Sequence, residues 1–346
     1  MCEYRTVSES EWVAIGERLR EARVTRCLGQ SELADQLGLE RTAITKLESG
    51  QRRMTALELV RVADALRVPM SWLVAGPEPA MTSRRSGQDA APAVFDMDVA
   101  LHETWEQVSL LAQGGHVTSV ALPAGLTMGT TEEAERAAER LRAHLGLGRE
   151  PLGGMLDVAA ELGLHVVVLD GDVDGASMSP EVGLGVAVLG GRRAPGRRRF
   201  TCAHEIGHHV LGDEYVPAGP VGESADGREA RIDAFAAAFL LPPAVRTATT
   251  RSEMIDLCGR YRVSWRLAVK ACAYRGSDVP PTRAEFVAAG LEVPEDLLIG
   301  HRSSLWRQAV LAARETHDLT DDAALLMVGE PSLTLDDLPP LRGPEW

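Results

Sequence analysis

Along the first eighty residues the apolar positions recur at helical spacing in short bursts. Trp12 to Arg23 carries Ile15, Leu19 and Ala22 on one side, with Arg18, Arg20 and Arg23 around the rest. Gly29 to Gly38 reads as a second short helix stopped by its terminal glycine. Thr42 to Glu48 gives a third, closed by Gly50. Thr55-x-x-Glu58 is a capping box that opens a fourth, carrying Leu59, Val62, Ala63 and Leu66 and breaking before Pro69. Met70-Ser71-Trp72-Leu73 starts a last short turn. Short helices with a tight glycine-marked turn between the second and third predict a helix-turn-helix.

The pattern then changes. Residues 76–93 are rich in Pro, Gly, Ser and Ala and predict a flexible linker. A helix is expected over 94–113, with Phe95, Val99, Trp105 and Leu110 available for packing. A glycine-rich stretch follows to 130, with a short strand expected at Val117–Leu122. Thr131–Leu145 predicts a helix with acids in its first turn, where the helix dipole favours them. A second helix is expected over Leu152–Leu162, ended by Gly163. His165–Leu169 and Gly185–Leu189 read as β-branched strands, separated by a turn at Asp170–Gly175. A helix through Arg197–Gly212 follows, then a polar loop to Gly227 and a helix from Arg228 that two prolines end at Pro243. Two short helices over Met254–Tyr274, helices at 304–317 and 320–328, and an acidic, proline-rich tail complete the chain. The expected class is α+β, mostly helical. An all-α head comes first, then a small sheet with a long helix beside it, then a helical C-terminal region.

Composition narrows this reading. The 346 residues allow two or three domains. With 45% apolar and 25% charged residues the chain is globular. No apolar run reaches the roughly 20 residues of a membrane span. Met-Cys-Glu-Tyr-Arg at the start lacks the apolar region of a signal peptide. Cys2, Cys27, Cys202, Cys258 and Cys272 are scattered, with no CxxC pair. A cytoplasmic, reducing location is therefore expected. The net charge of −14 argues against a protein coated in nucleic acid, but it is unevenly spread. Residues 1–80 hold 11 Lys/Arg against 12 Asp/Glu, while residues 276–346 hold 5 against 13. The acidic total thus leaves room for a DNA-binding face at the N-terminus.

The candidate chemistry lies in His204-Glu205-Ile206-Gly207-His208. On a helix the two histidines lie one turn apart on one face and can hold one metal ion. Glu205 sits beside them, near a metal-bound water. This is the HExxH arrangement of zinc metalloproteases, so Zn2+ is the expected cofactor. Five residues are a short pattern, and its weight rests on a helical setting and a third ligand. Glu229 and Asp233, four apart on the next helix, share a face. In zincins of this layout a glutamate is the third ligand, and an acid one turn on can hold a ligand histidine through its other nitrogen. Glu229 is therefore the expected ligand and Asp233 its supporting partner; Asp233 as ligand is the alternative. Glu223 and Asp226 are further acids in the loop region. Tyr215 or His209 could stabilise the oxyanion, with a surface or packing role the favoured reading of His209. Cys202 reads as a small buried filler, with a redox-sensitive thiol as the rival. A strand just ahead of the motif helix could hold an extended peptide beside the metal.

Two resemblances follow from these residues. Ile15-Gly16-Glu17-Arg18-Leu19-Arg20, Gln30-Ser31-Glu32-Leu33-Ala34, Ala43-Ile44-Thr45-Lys46-Leu47-Glu48-Ser49-Gly50 and Trp72-Leu73 resemble the Xre (lambda-repressor-like) DNA-binding family over residues 12–75. The resemblance implies double-stranded DNA as a partner. It puts a recognition helix near Glu40, with Arg41, Thr42, Thr45 and Lys46 towards base edges and Gln30 near a phosphate. Glu40 departs from the small polar residue usual there. A homodimer is expected, because such domains bind paired half-sites.

Arg199-Phe200-Thr201-x-Ala203-His204-Glu205-x-Gly207-His208, with Glu229-x-x-x-Asp233-x-Phe235-Ala236-Ala237-x-x-Leu241-x-Pro243, is similar to the ImmA/IrrE family of metallopeptidases over residues 131–245. Residues 94–130 are then an intervening segment and 246–346 a helical C-terminal region. The family more often has Asn at the place of Asp233, and Glu-Ala at that of Arg231-Ile232. The resemblance implies a zinc endopeptidase whose substrate is a helix-turn-helix repressor, cleaved under stress or induction. Cleavage of the chain itself, within its linker, is a variant of that reading. Two rival readings are a regulator whose zincin domain only senses a metal or ligand, and an antitoxin-like regulator.

Overall fold

The computed structural model describes residues 8–76, 82–84, 91–211, 225–291, 296–329, 334 and 337–339. It is mostly helical with one small sheet, as the patterning predicts. The described residues fall into two compact units. One holds residues 8–76 and the following helix up to Glu103; the other holds residues 82–84 and the chain from Thr104. No described helix is long and apolar enough to cross a membrane.

The first unit contains α1 (Glu9–Thr25), α2 (Gln30–Leu37), α3 (Arg41–Glu48), α4 (Ala56–Leu66) and α5 (Met70–Ala75). Ile15, Leu19, Leu33, Ile44, Leu47, Val62, Leu66, Trp72 and Leu73 meet in its core. Ser8 and Thr55 form capping boxes at the starts of α1 and α4. Gly38 ends α2 with φ +66°, a left-handed turn that glycine enters without a Cβ penalty. That turn swings α3 out of line with α2. Arg23 from α1 and Gln30 from α2 both donate to the buried Glu48 carboxylate, which ties the three helices together.

The second unit is built on a four-stranded sheet. Its strands are β1 (Thr82–Arg84), β2 (Leu164–Leu169), β3 (Gly175–Glu181) and β4 (Leu184–Gly190), in the spatial order β1-β3-β4-β2. β4 pairs antiparallel with β3 and parallel with β2, while β1 pairs antiparallel with β3. In chain order the helices are α6 (Ala91–Gln113), which runs from the first unit into this one, α7 (Thr131–His144), α8 (Met155–Glu161), α9 (Pro195–Leu211), α10 (Ala225–Leu240), α11 (Arg251–Tyr261), α12 (Trp265–Ala271), α13 (Arg283–Ala288), α14 (Ser304–Glu315) and α15 (Asp321–Val328). One core joins α7, α8, the sheet and α9 to α12.

The structure departs from the sequence reading in four places. Residues 117–122 do not form a strand; Val120 N–H instead donates to the Gly183 carbonyl at the β3–β4 turn. The linker is not featureless, since residues 82–84 add a strand to the sheet. β3 has no strand-like pattern, because Ser177, Ser179 and Pro180 are poor strand formers; pairing with β4 and burial of both faces hold it in place. The strand ahead of the motif helix, β4, is interior and fully buried and offers no sheet edge; on its β3 side the outermost strand is β1.

Candidate functional site

α9 carries the motif and is buried on almost every side from Arg198 to Val210. A helix buried all round belongs at the centre of a core. Each of its arginines finds an acceptor before the motif begins. Arg197 forms a two-pronged ion pair with Asp174, and Arg198 donates to the Gly191 carbonyl. Arg199 pairs with the buried Asp296, which also accepts from the first N–H of α8.

Two stripes of α9 face different neighbours. His204 and His208, one turn apart, face α10. His204 Nε2 lies 3.1 Å from His208 Nε2 and 3.2 Å from Glu229 Oε2, and His208 Nε2 lies 3.6 Å from Glu229 Oε1. The three donor atoms fall within 4.8 Å of one another. His204 Nδ1 donates to Asp233 Oδ1 at 2.9 Å, which turns the Nε2 lone pair of a neutral imidazole towards Glu229 and His208. Burial works to raise the Glu229 pKa; when both imidazoles are protonated, the hydrogen bond from His204 and the charges of His204 and His208 outweigh it and hold the carboxyl below its ordinary range. Two imidazoles and a carboxylate converging in this way fit a divalent metal of the zinc type, with one coordination position left for solvent. The side chains of His204 and His208 are 0% and 4% exposed, whereas Glu229 keeps 42%, so the group opens on the α10 side.

The second stripe, Glu205 and His209, faces β3. Ser177 Oγ donates to Glu205 Oε2 at 2.7 Å, and Ser179 Oγ meets His209 Nδ1 at 2.6 Å. Residues two apart on a strand are spaced about 6.8 Å and residues four apart on a helix about 6 Å, so the two pairs form matching rungs. The other Glu205 oxygen, Oε1, is buried and has no partner among the described residues. Ser177 and Ser179 carried no signal in the sequence, since nothing there marked β3 as a strand.

The oxyanion role considered for His209 is not supported by its surroundings. Its Nε2–H is given to the Leu162 carbonyl, so Nδ1 must accept from Ser179. Burial lowers its pKa to about 4, against a smaller upward pull from the Leu162 hydrogen bond. A neutral ring with its one N–H committed has no donor left to offer. Tyr215 and Glu223 lie outside the described residues, as does the side chain of Asp226. Cys202 is fully buried in the core and burial pushes its thiol pKa well up, which leaves it a filler and not a reactive thiolate.

In the first unit, Glu40, Arg41, Thr42, Thr45 and Lys46 are all exposed on or beside α3, while Ile44 and Leu47 are buried behind them. Thr45 Oγ1 lies 3.4 Å from Gln30 Oε1 and 3.2 Å from the Arg41 carbonyl. Gln30 is half-buried, its amide NH2 donating to Glu48. Glu40 precedes the helix in extended conformation without a side-chain cap, and its carboxylate lies 3.4 Å from the Thr42 hydroxyl.

A short-helix head with one polar face on its third helix, followed by a metallopeptidase-type unit, is the class that these features define. Residues 16–79 match the family model of a helix-turn-helix domain, and residues 159–271 match that of the IrrE N-terminal-like domain. The chain is 31% identical over 120 residues to an uncharacterized HTH-type transcriptional regulator, YqaE, of Bacillus subtilis (strain 168), across 35% of this chain and 93% of that protein. It is 36% identical over 58 residues to an uncharacterized transcriptional regulator in the ATPase CF(0) region of Rhodospirillum rubrum, across 17% of this chain and 54% of that one. Among solved structures it is similar to the restriction-modification controller protein C.AhdI from Aeromonas hydrophila, with 34% identity, 18% of this chain and 97% of the other covered, and a TM-score of 0.18. The chain belongs to the helix-turn-helix transcriptional regulators and carries an Xre-type head fused to an ImmA/IrrE-type domain.

Proposed function

We propose that this regulator is a cytoplasmic zinc endopeptidase that cleaves a helix-turn-helix repressor and is brought to its work by its own DNA-binding head. One observation carries the reading. His204, His208 and Glu229 converge on one point while Glu205, on the next stripe of the same helix, keeps a buried carboxylate oxygen unpaired. A site built only to hold a metal for stability or sensing has no use for that oxygen.

When bound, zinc would polarise the scissile carbonyl and lower the pKa of a water towards about 7. The residues of the chain do the rest. Ser177 holds Glu205 by Oε2 and leaves Oε1 to take the proton of the attacking water. Glu205 then returns that proton to the departing amine as the peptide C–N bond breaks. Asp233 keeps the proton of His204 on Nδ1, so that Nε2 stays a ligand atom. In the head, Arg41, Thr42, Thr45 and Lys46 are offered to DNA, with Glu40 and Gln30 flanking them. A homodimer reading two half-sites suits that arrangement. The repressor as substrate rests on the family resemblance, with cleavage within the chain's own linker as the variant of the same chemistry.

The test is Glu205→Gln in the full chain. Zinc content should stay at one per chain while cleavage of the helix-turn-helix proteins encoded nearby falls by roughly 10^2- to 10^4-fold. Cleavage at the wild-type rate would sink the proposal and favour a sensing module.

A further inference from the structure

We infer that the outer edge of β3 is a binding site for an extended peptide, and that the chain's own segment Thr82–Arg84 is its resident occupant. The inference deepens the peptidase reading and rests on it for what happens after binding. Without β1, β3 would be the edge strand of the sheet, presenting a row of main-chain N–H and C=O groups. Edges of this kind capture extended peptides by strand addition. Here the edge is filled from within, by a strand from much earlier in the chain, with Thr82 opposite Met178, Ser83 opposite Ser177 and Arg84 opposite Ala176.

The register matters more than the pairing. Ser177 is the residue whose hydroxyl holds Glu205. The middle of the resident strand is therefore level with the carboxylate that has an unpaired oxygen. A peptide added to the same edge in the same register would lie level with that carboxylate. The occupant is poorly secured, being three residues long with three register pairs, in a segment rich in glycine, proline and serine. A short ladder yields to a longer one, so an incoming strand of five or six residues displaces it.

The site can be read without turnover. The probe is a fluorescein-labelled synthetic peptide with the sequence of residues 78–90, titrated by anisotropy into zinc-loaded full-length protein carrying Glu205→Gln. Alternate residues of an antiparallel strand direct their N–H to the neighbour, so one of Ser83→Pro and Arg84→Pro must remove a ladder bond. The double Pro variant, and a second variant with residues 82–84 replaced by Gly-Ser-Gly at unchanged length, should bind the probe at least tenfold more tightly than the parent. Amide exchange at Ala176–Met178 should rise in both variants and fall again with probe. Equal affinity for parent and variants, or unchanged exchange at β3, overturns the inference. The two readings separate cleanly. Tight probe binding by the variants alongside undiminished proteolysis by Glu205→Gln sinks the catalytic proposal alone, and loss of proteolysis without any gain in binding sinks this one alone.

Discussion

At the scale of single residues, His165 and His209 set an acid limit on the fold. Both are buried, and burial, aided for His165 by the charges of Arg302 and His209, lowers each pKa from 6.5 to about 4. A folded pKa below the unfolded one means that the unfolded chain binds the extra proton first. Stability is therefore full above about pH 6.5 and falls as the pH drops towards 4. Each shift corresponds to about 3 kcal/mol over that window. His165→Leu removes one of the two groups, together with a buried ring nitrogen that has no partner among the described residues. Urea melts of wild type and variant between pH 7 and 4.5 should differ in slope by about one proton, the variant being the flatter. Parallel curves would show that His165 is not held neutral by the fold. Among the candidate site residues, His204, Glu205 and His208 were legible because helical spacing alone places them. Ser177 was not, because its role exists only once β3 lies against α9.

At the scale of elements, the site depends on how closely α10 lies on α9. Gly207 sits where they touch: a Cβ there would meet Phe235 Cδ1 at 3.0 Å and Ile232 Cγ2 at 3.1 Å. Both neighbours are fully buried, so neither has room to give way. Gly207→Ala gains up to about 1 kcal/mol of helix propensity but costs about 1–3 kcal/mol in overpacking. The crowding wins, and it pushes α10 away, carrying Glu229 and Asp233 with it. The variant should have a lower urea midpoint and roughly tenfold weaker zinc binding by competitive chelator titration. A midpoint at or above wild type contradicts this packing account. The helices were readable from their apolar spacing and caps, and α7 to α12 fall within a few residues of the expected bounds. β3 and α13 were not read, since neither segment has a strong periodic pattern and α13 buries no residue fully.

At the scale of the whole molecule, an acidic chain joins a nearly neutral head to a metallopeptidase-type unit. If the head binds DNA through α3, Lys46 in the last turn would meet a phosphate and not the base edge expected of it, because recognition helices read bases with their N-terminal residues. Lys46→Ala should then weaken binding uniformly across sequences and reduce the salt slope by about one. Arg41→Ala should instead relax preference at one base pair, at a cost of about 1–3 kcal/mol. Fluorescence anisotropy on operator and scrambled duplexes between 50 and 200 mM salt distinguishes the two outcomes. A Lys46→Ala variant with an unaltered salt slope would falsify the placement of that residue at a phosphate. The two-part organisation was open to sequence reading because each part carries its own local pattern. The involvement of the linker was not, because a run rich in glycine, proline and serine carries no sign of the strand it will join.

The sequence by itself determined the short helices of the head, the helix bearing His204, Glu205 and His208, and the pairing of Glu229 with Asp233 on the next one. These follow from local spacing, which the 3.6-residue period converts directly into faces. Tertiary structure alone decided the order of the strands, what holds Glu205, how the one N–H of the neutral His209 ring is committed, and that residues 82–84 lie beside Ser177. Each of these depends on contacts between segments tens of residues apart, and no local pattern specifies them.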